Sequence, residues 1–116
     1  MTDLNNTTDL TNTSTASPLA PAGHFREISR RRFDRYGAYD IYYKTHDAAE
    51  NDFSRAIEGG VGDVSYLTRR LGELRDLHVI FTSRGYSDVA QEAFDSAREV
   101  ESWIGCLVTR RLEGRL

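Results

Sequence analysis

Between Val64 and Leu112 apolar residues recur every three or four positions on either side of one glycine, and no other stretch constrains the fold as tightly. Val64, Leu67, Leu71, Leu74, His78 and Phe81 alternate in steps of three and four, the spacing that keeps one helix face turned toward a partner helix. Leu77 and Ile80 widen the stripe. The run from Leu77 to Phe81 would pass for a short buried strand in isolation, but the helical period continues through it, which predicts a helix over 64–84. Gly85 is its natural C-terminal cap. Ser87 is placed to cap the next helix, over 88–113, whose apolar face is Ala90, Ala93, Phe94, Ala97, Val100, Ile104, Leu107 and Val108. Ala90, Ala93 and Ala97 admit a close approach near the turn, and Trp103 and Leu107 fill the wider far end. The two helices are expected to fold back on each other as an antiparallel hairpin. Asp88, Glu92, Asp95 and Glu99 form an acidic stripe away from that seam, and Arg110, Arg111 and Arg115 close the helix, in the order the helix macrodipole favours.

Two helices cannot by themselves enclose Leu71, Leu77, Ile80, Phe94 and Trp103, so something upstream must cover them. The segment over 24–44 is the natural cover. It holds Phe25, Phe33, Tyr36, Tyr39, Tyr42 and Tyr43, half of the chain's aromatic residues, interleaved with Arg26, Arg30, Arg31, Arg32 and Arg35. Phe25, Ile28, Arg32, Tyr36, Tyr39 and Tyr43 fall at helical spacing, whereas Tyr39, Ile41 and Tyr43 alternate with polar neighbours as a half-buried strand would. Gly37 permits a break between the two patterns. We expect a helix near 24–35 and leave 38–45 open between helix and extended chain. Asp47 and Glu50 resemble a capping box that opens a further short helix with Ala49, Phe53, Ala56 and Ile57 on its apolar face. The glycines at 59, 60 and 62 read as a linker: no Lys-Ser/Thr continuation follows them, and Asp63 would repel a phosphate.

The chain of 116 residues begins with a Thr-, Asn- and Ser-rich stretch over 1–22 that cannot bury enough apolar surface to order itself. We expect that stretch to be a disordered tail and 23–116 a single helical domain. The net charge of −3 hides a pattern. The tail carries Asp3 and Asp9 with no basic residue, and 45–116 holds more acids than arginines, while 23–44 sets Arg26, Arg30, Arg31, Arg32, Arg35 and Lys44 against Glu27, Asp34 and Asp40. A basic segment therefore lies between two acidic ones. Cys106 is the single cysteine, which excludes an intrachain disulfide and a thiolate metal site within one chain. With no signal-like N-terminus and no apolar run approaching the ~20 residues of a membrane span, the expected location is cytoplasmic, away from the membrane.

Around the turn, Leu74, Leu77, Phe81, Gly85, Ala90, Phe94 and Ala97 resemble the helical hairpin of tetratricopeptide repeats, including the Ala-x3-Phe-x2-Ala pattern of its second helix. The likeness spans Leu74 to Ala97 and does not recur at the ~34-residue repeat period. It implies a way of packing two helices, and no peptide-binding residues follow from it.

No nucleophile with a base, paired catalytic carboxylates or metal-ligand spacing stands out, so the chain reads as non-enzymatic, with no cofactor and no metal. His24, His46 and His78 are the only histidines. His78 lies on the apolar seam as a half-buried histidine with a hydrogen-bond partner, and Cys106 beside Gly105 reads as a small residue at a close helix contact. The function-bearing signal is Arg26, Arg30, Arg31, Arg32, Arg35, Tyr36, Tyr39 and Tyr42. The expected function is a protein-interaction module, a small adaptor or inhibitor-like regulator of a larger assembly, acting on a protein partner and as a homodimer. The alternative is RNA or DNA binding, with guanidinium groups on phosphates and tyrosines stacked on bases. The same arginines have a purely structural reading as partners of Asp88, Glu92, Asp95 and Glu99.

Overall fold

The computed structural model describes residues 22–58 and 64–114. Within them are four helices: α1 (Ala22–Arg30), α2 (Arg35–Glu58), α3 (Ser65–Ser83) and α4 (Ser87–Leu112). No strand occurs among the described residues, and the whole is a small helical bundle built on the α3–α4 hairpin. The tail expected over 1–22 and the glycine linker lie outside the described residues, apart from Ala22, which opens α1.

The hairpin follows its apolar stripe except on α4, where Phe94 and Val108, expected on the seam, are exposed and Val89 is buried instead. Leu67, Leu71, Leu74, Leu77, Ile80 and Phe81 of α3 are buried against Val89, Ala90, Ala93, Ala97, Val100 and Leu107 of α4. Leu77 to Phe81 are helical throughout. The turn is built by Gly85, whose φ of 82° lies in the left-handed region that glycine enters without a side-chain penalty. Its N–H donates to the Thr82 carbonyl at 3.1 Å and the Tyr86 N–H to that of Phe81 at 3.0 Å, the paired bonds that close a helix in a Schellman motif. His78, half-buried, donates its Nδ1–H to the Ala90 carbonyl of α4 at 3.0 Å and packs on the Phe94 ring at 5.2 Å. Because a carbonyl can only accept, this contact fixes the tautomer. Ser87 does not cap α4: Tyr86 holds the cap position without a side-chain bond. Instead Asp88, in the first turn, accepts the Val89 N–H at 2.9 Å.

Upstream, the expected boundaries shift. The first helix stops at Arg30 rather than reaching 35, and Ile28 is its buried apolar residue among those whose side chains are described. The open region over 38–45 is helix, and the capping box at Asp47 and Glu50 lies in the interior of α2. The cap is thirteen residues earlier, at Asp34, whose Oδ1 accepts the Gly37 N–H at 2.9 Å and whose carbonyl accepts the Ala38 N–H at 2.9 Å. Gly37 does not break the chain; it lets Phe33 pack against the first turn, since a β-carbon there would stand 2.8 Å from the Phe33 Cβ. Ala38, Ile41, Tyr42, Ala49 and Ala56 then carry the buried face at helical spacing, and this face outweighs the alternation of Tyr39, Ile41 and Tyr43 that imitates a strand.

α2 packs on both α3 and α4, whereas α1 packs on α3. Phe53 of α2 stacks on Trp103 of α4 at 5.0 Å and 12°. Tyr42 is buried with its hydroxyl 2.6 Å from Ser96 Oγ, so the buried Ser96 hydroxyl has its partner. Gly105 and Cys106, expected at a close helix contact, face outward: Cys106 is exposed, and no neighbouring side chain or other helix comes within 4 Å of where a Gly105 side chain would begin. Ile104 and Leu107 take the seam positions on either side of them.

Candidate functional site

The eight residues singled out by sequence separate into three groups. Arg26, Arg30, Arg31 and Arg32 are exposed along α1 and the turn that follows it, and none has an ion-pair or hydrogen-bond partner through its side chain among the described residues. Arg26 and Arg30 stand one helical turn apart on α1 and so share a face. Tyr36, in the first turn of α2, is 85% exposed and adds an aromatic ring nearby in sequence.

The other three are used by the fold. Arg35 donates from Nε to Asp88 Oδ2 at 2.7 Å, joining the start of α2 to the start of α4. Tyr39 is half-buried and its hydroxyl lies between Asp88 and Glu92, so desolvation first, and then these two carboxylates, push its pKa up to about 12. Desolvation opposes ionisation of Asp88, but the Val89 N–H, the Tyr39 hydroxyl and the Arg35 guanidinium outweigh it and hold the carboxyl below its ordinary value. Tyr42 is buried, which raises its phenol's pKa, and Ser96 offsets part of that. Tyr42 is buried and the Tyr39 hydroxyl is engaged by Asp88 and Glu92, so neither is as open as Tyr36 to stacking on a base.

A less obvious residue holds the arginine segment in place. Arg84, at the C-terminal end of α3, donates to the backbone carbonyls of Arg31 at 2.8 Å and Ser29 at 2.7 Å. These are the acceptors that a helix end leaves unpaired. The same guanidinium lies 4.2 Å over the Phe33 ring, which meets Phe81 edge-on at 5.9 Å and accepts from the Tyr86 hydroxyl through its own carbonyl at 3.1 Å. At the other end of α1, His24 Nδ1 and Asp76 Oδ2 face each other at 3.5 Å with both atoms buried. The Asp76 carboxylate raises the His24 pKa above its ordinary value, against the desolvation that would lower it; Glu73 and Glu27 add to the rise. The turn that displays Arg31 and Arg32 is therefore pinned from α3 at both ends of α1. Sequence spacing gives no signal for Arg84, because a capping contact across more than fifty positions has no period.

The acidic stripe of α4 faces α2 along part of its length. Asp88 meets Arg35 and Tyr39, and Glu99 Oε1 lies 3.6 Å from His46 Nε2. His46 Nδ1 lies 3.9 Å from both Asp47 and Glu50, and these three residues offer ligand atoms within 4.8 Å of one another. They are the group among the described residues whose ligand atoms could hold a cation, and in the fold the His46 ring sits among carboxylates of α2 and α4. Elsewhere, Arg70 bridges Asp52 and Glu73, and Arg75 reaches Glu101 Oε2 at 2.7 Å. Asp88, Asp52, Glu73 and Glu101 thus draw on Arg35, Arg70 and Arg75, and leave Arg26, Arg30, Arg31 and Arg32 unused.

No family model, curated protein or solved structure matches this chain. Among the described residues no helix is long and apolar enough to cross a membrane.

Proposed function

We propose that this protein is a non-enzymatic interaction module, an adaptor or small inhibitor-like regulator, that engages an acidic protein surface through Arg26, Arg30, Arg31 and Arg32 and works in the cytoplasm as a homodimer. The observation that carries this reading is the set of four exposed, unpartnered arginines on a segment that Arg84 and Asp76 fix in place. Held charges of one sign steer an oppositely charged partner and set its orientation. A pre-ordered segment also gives up less conformational freedom on binding.

The same four arginines favour a second reading, nucleic acid bound through its phosphates, with Tyr36 as the one exposed tyrosine of the three stacking candidates. The protein reading ranks first because Tyr39 and Tyr42 are committed to Asp88, Glu92 and Ser96. Capture from the native host on immobilised full-length chain, with half of each sample treated with nuclease, separates the two. The protein reading predicts the same bound protein in both halves, lost when Arg30, Arg31 and Arg32 are replaced by Ala. Nuclease-sensitive material whose retention falls steeply with salt would establish the nucleic-acid reading instead. Retention that ignores the three substitutions would overturn both.

A further inference from the structure

α4 carries a stripe that α1, α2 and α3 leave open. Phe94, Arg98, Glu101, Gly105 and Val108 recur in steps of four, three, four and three, the interval that turns one helix face toward another helix. All five are exposed, Phe94 by 41% and Val108 by 39% despite their apolar character. Gly105 is unfavourable inside a helix, and nothing within one copy needs the missing side chain, since no neighbouring side chain or other helix lies within 4 Å of its β position. What the glycine does is open a groove of about 340 Å³ between α3 and α4, lined also by Thr68, Leu71, Glu101 and Ile104.

This stripe is complementary to itself when reversed. A two-fold axis crossing α4 level with the peptide between Glu99 and Val100 sets Phe94 opposite the second copy's Gly105 and Arg98 opposite its Glu101, and repeats both pairs across the axis. The size match is a ring facing a groove with Leu71 and Ile104 in its walls. The charge match is equally specific: Arg98 has no partner among the described residues, and Glu101 gives Oε2 to Arg75, leaving Oε1 to accept a second guanidinium. Phe94 is already held on the His78 ring, so seating it orders little that is not ordered beforehand.

We propose that the open face of the hairpin binds a second copy of this chain, α4 against α4 in antiparallel register, with Phe94 of each copy in the Gly105 groove of the other and Arg98 on the other's Glu101. This rests on the homodimer reading above and supplies its geometry. Sedimentation velocity on the full chain from low to high micromolar concentration gives the mass. Nitroxide labels at Ser102→Cys or Thr109→Cys, each in a Cys106→Ser background, give the register. An antiparallel pair about this axis sets the two 102 positions roughly 8 Å apart along the helices and the two 109 positions roughly 28 Å apart, from a rise of about 1.5 Å per residue.

The expected result is a dimer with a short distance at 102 and a long one at 109. Gly105→Leu should weaken it about tenfold or more while leaving the monomer's melting temperature unchanged or raised, because the groove is filled and helix propensity improves. Arg98→Glu should weaken it as well, by setting like charges face to face. A monomer at every concentration would overturn both this proposal and the homodimer reading. A dimer with matching distances at the two labels, or one indifferent to Gly105→Leu, would leave the homodimer standing and overturn this interface.

Discussion

Arg84 joins three parts of the chain through one side chain: the carbonyls that end α1, the ring of Phe33 and the Gly85 turn it precedes. Replacing it with Ala removes charge-assisted bonds to the carbonyls of Ile28, Ser29 and Arg31 and a cation–π contact together, and should cost about 2 kcal/mol in a denaturant melt. Arg84→Lys should recover only part of this, since an ammonium lacks the planar fork that reaches these carbonyls while lying on a ring. Gly37 is the second residue whose chemistry the fold cannot exchange. A methyl group at that position would press on the Phe33 Cβ from 2.8 Å, so Gly37→Ala should destabilise the protein by about 1–3 kcal/mol in spite of alanine's better helix propensity. A neutral or stabilising result would mean that Phe33 can move aside at no cost.

At the scale of elements, α1 depends on its ends. It buries Ile28, with the His24–Asp76 pair before it and Arg84 after it. The folded protein raises the His24 pKa, so the stability this pair contributes is complete below the ordinary imidazole value of 6.5 and is lost as pH rises through the higher folded value. Facing His24 are Asp76 and Glu73 from α3 and Glu27 from its own helix, and all three favour the protonated ring. Hydrogen exchange of α1 amides, corrected for intrinsic base catalysis, should therefore quicken as pH rises above the ordinary imidazole value of 6.5, while α3 and α4 stay protected. Asp76→Asn should flatten that dependence.

The same elements show what was legible. The hairpin could be read because a three-and-four period records burial directly, and Gly85 marks its own turn. α2 could not be read whole, because Tyr39, Ile41 and Tyr43 mimic a strand while the buried Ala38, Ile41, Tyr42 and Ala49 carry a helical period in residues too small or too polar to stand out. The capping signal at Asp47 and Glu50 was local chemistry without the context of a chain end, and the cap that forms, at Asp34, lacks the Glu or Gln three residues on that completes a capping box. Of the candidate site, the basic character of the segment was plain in sequence. Which tyrosines remained free was not, because Ser96, Asp88 and Glu92 meet Tyr42 and Tyr39 only after α2 folds onto α4.

The molecule as a whole divides its charges by use. Arg35, Arg70 and Arg75 tie helices together or brace the surface of α3, and Arg84 closes α1. Arg26, Arg30, Arg31 and Arg32 do none of this and project from the same short segment. A surface charge without a partner contributes little to stability, so the two roles can be separated experimentally. The decisive measurement compares the wild-type chain with the variant carrying Arg30→Ala, Arg31→Ala and Arg32→Ala, recording thermal melting and retention of the captured partner on the same preparations. An interaction surface predicts melting temperatures that coincide and partner retention that is lost. A variant that melts markedly lower, or one that holds its partner as the wild type does, would show that these arginines serve the fold or nothing, and would contradict the function proposed for them.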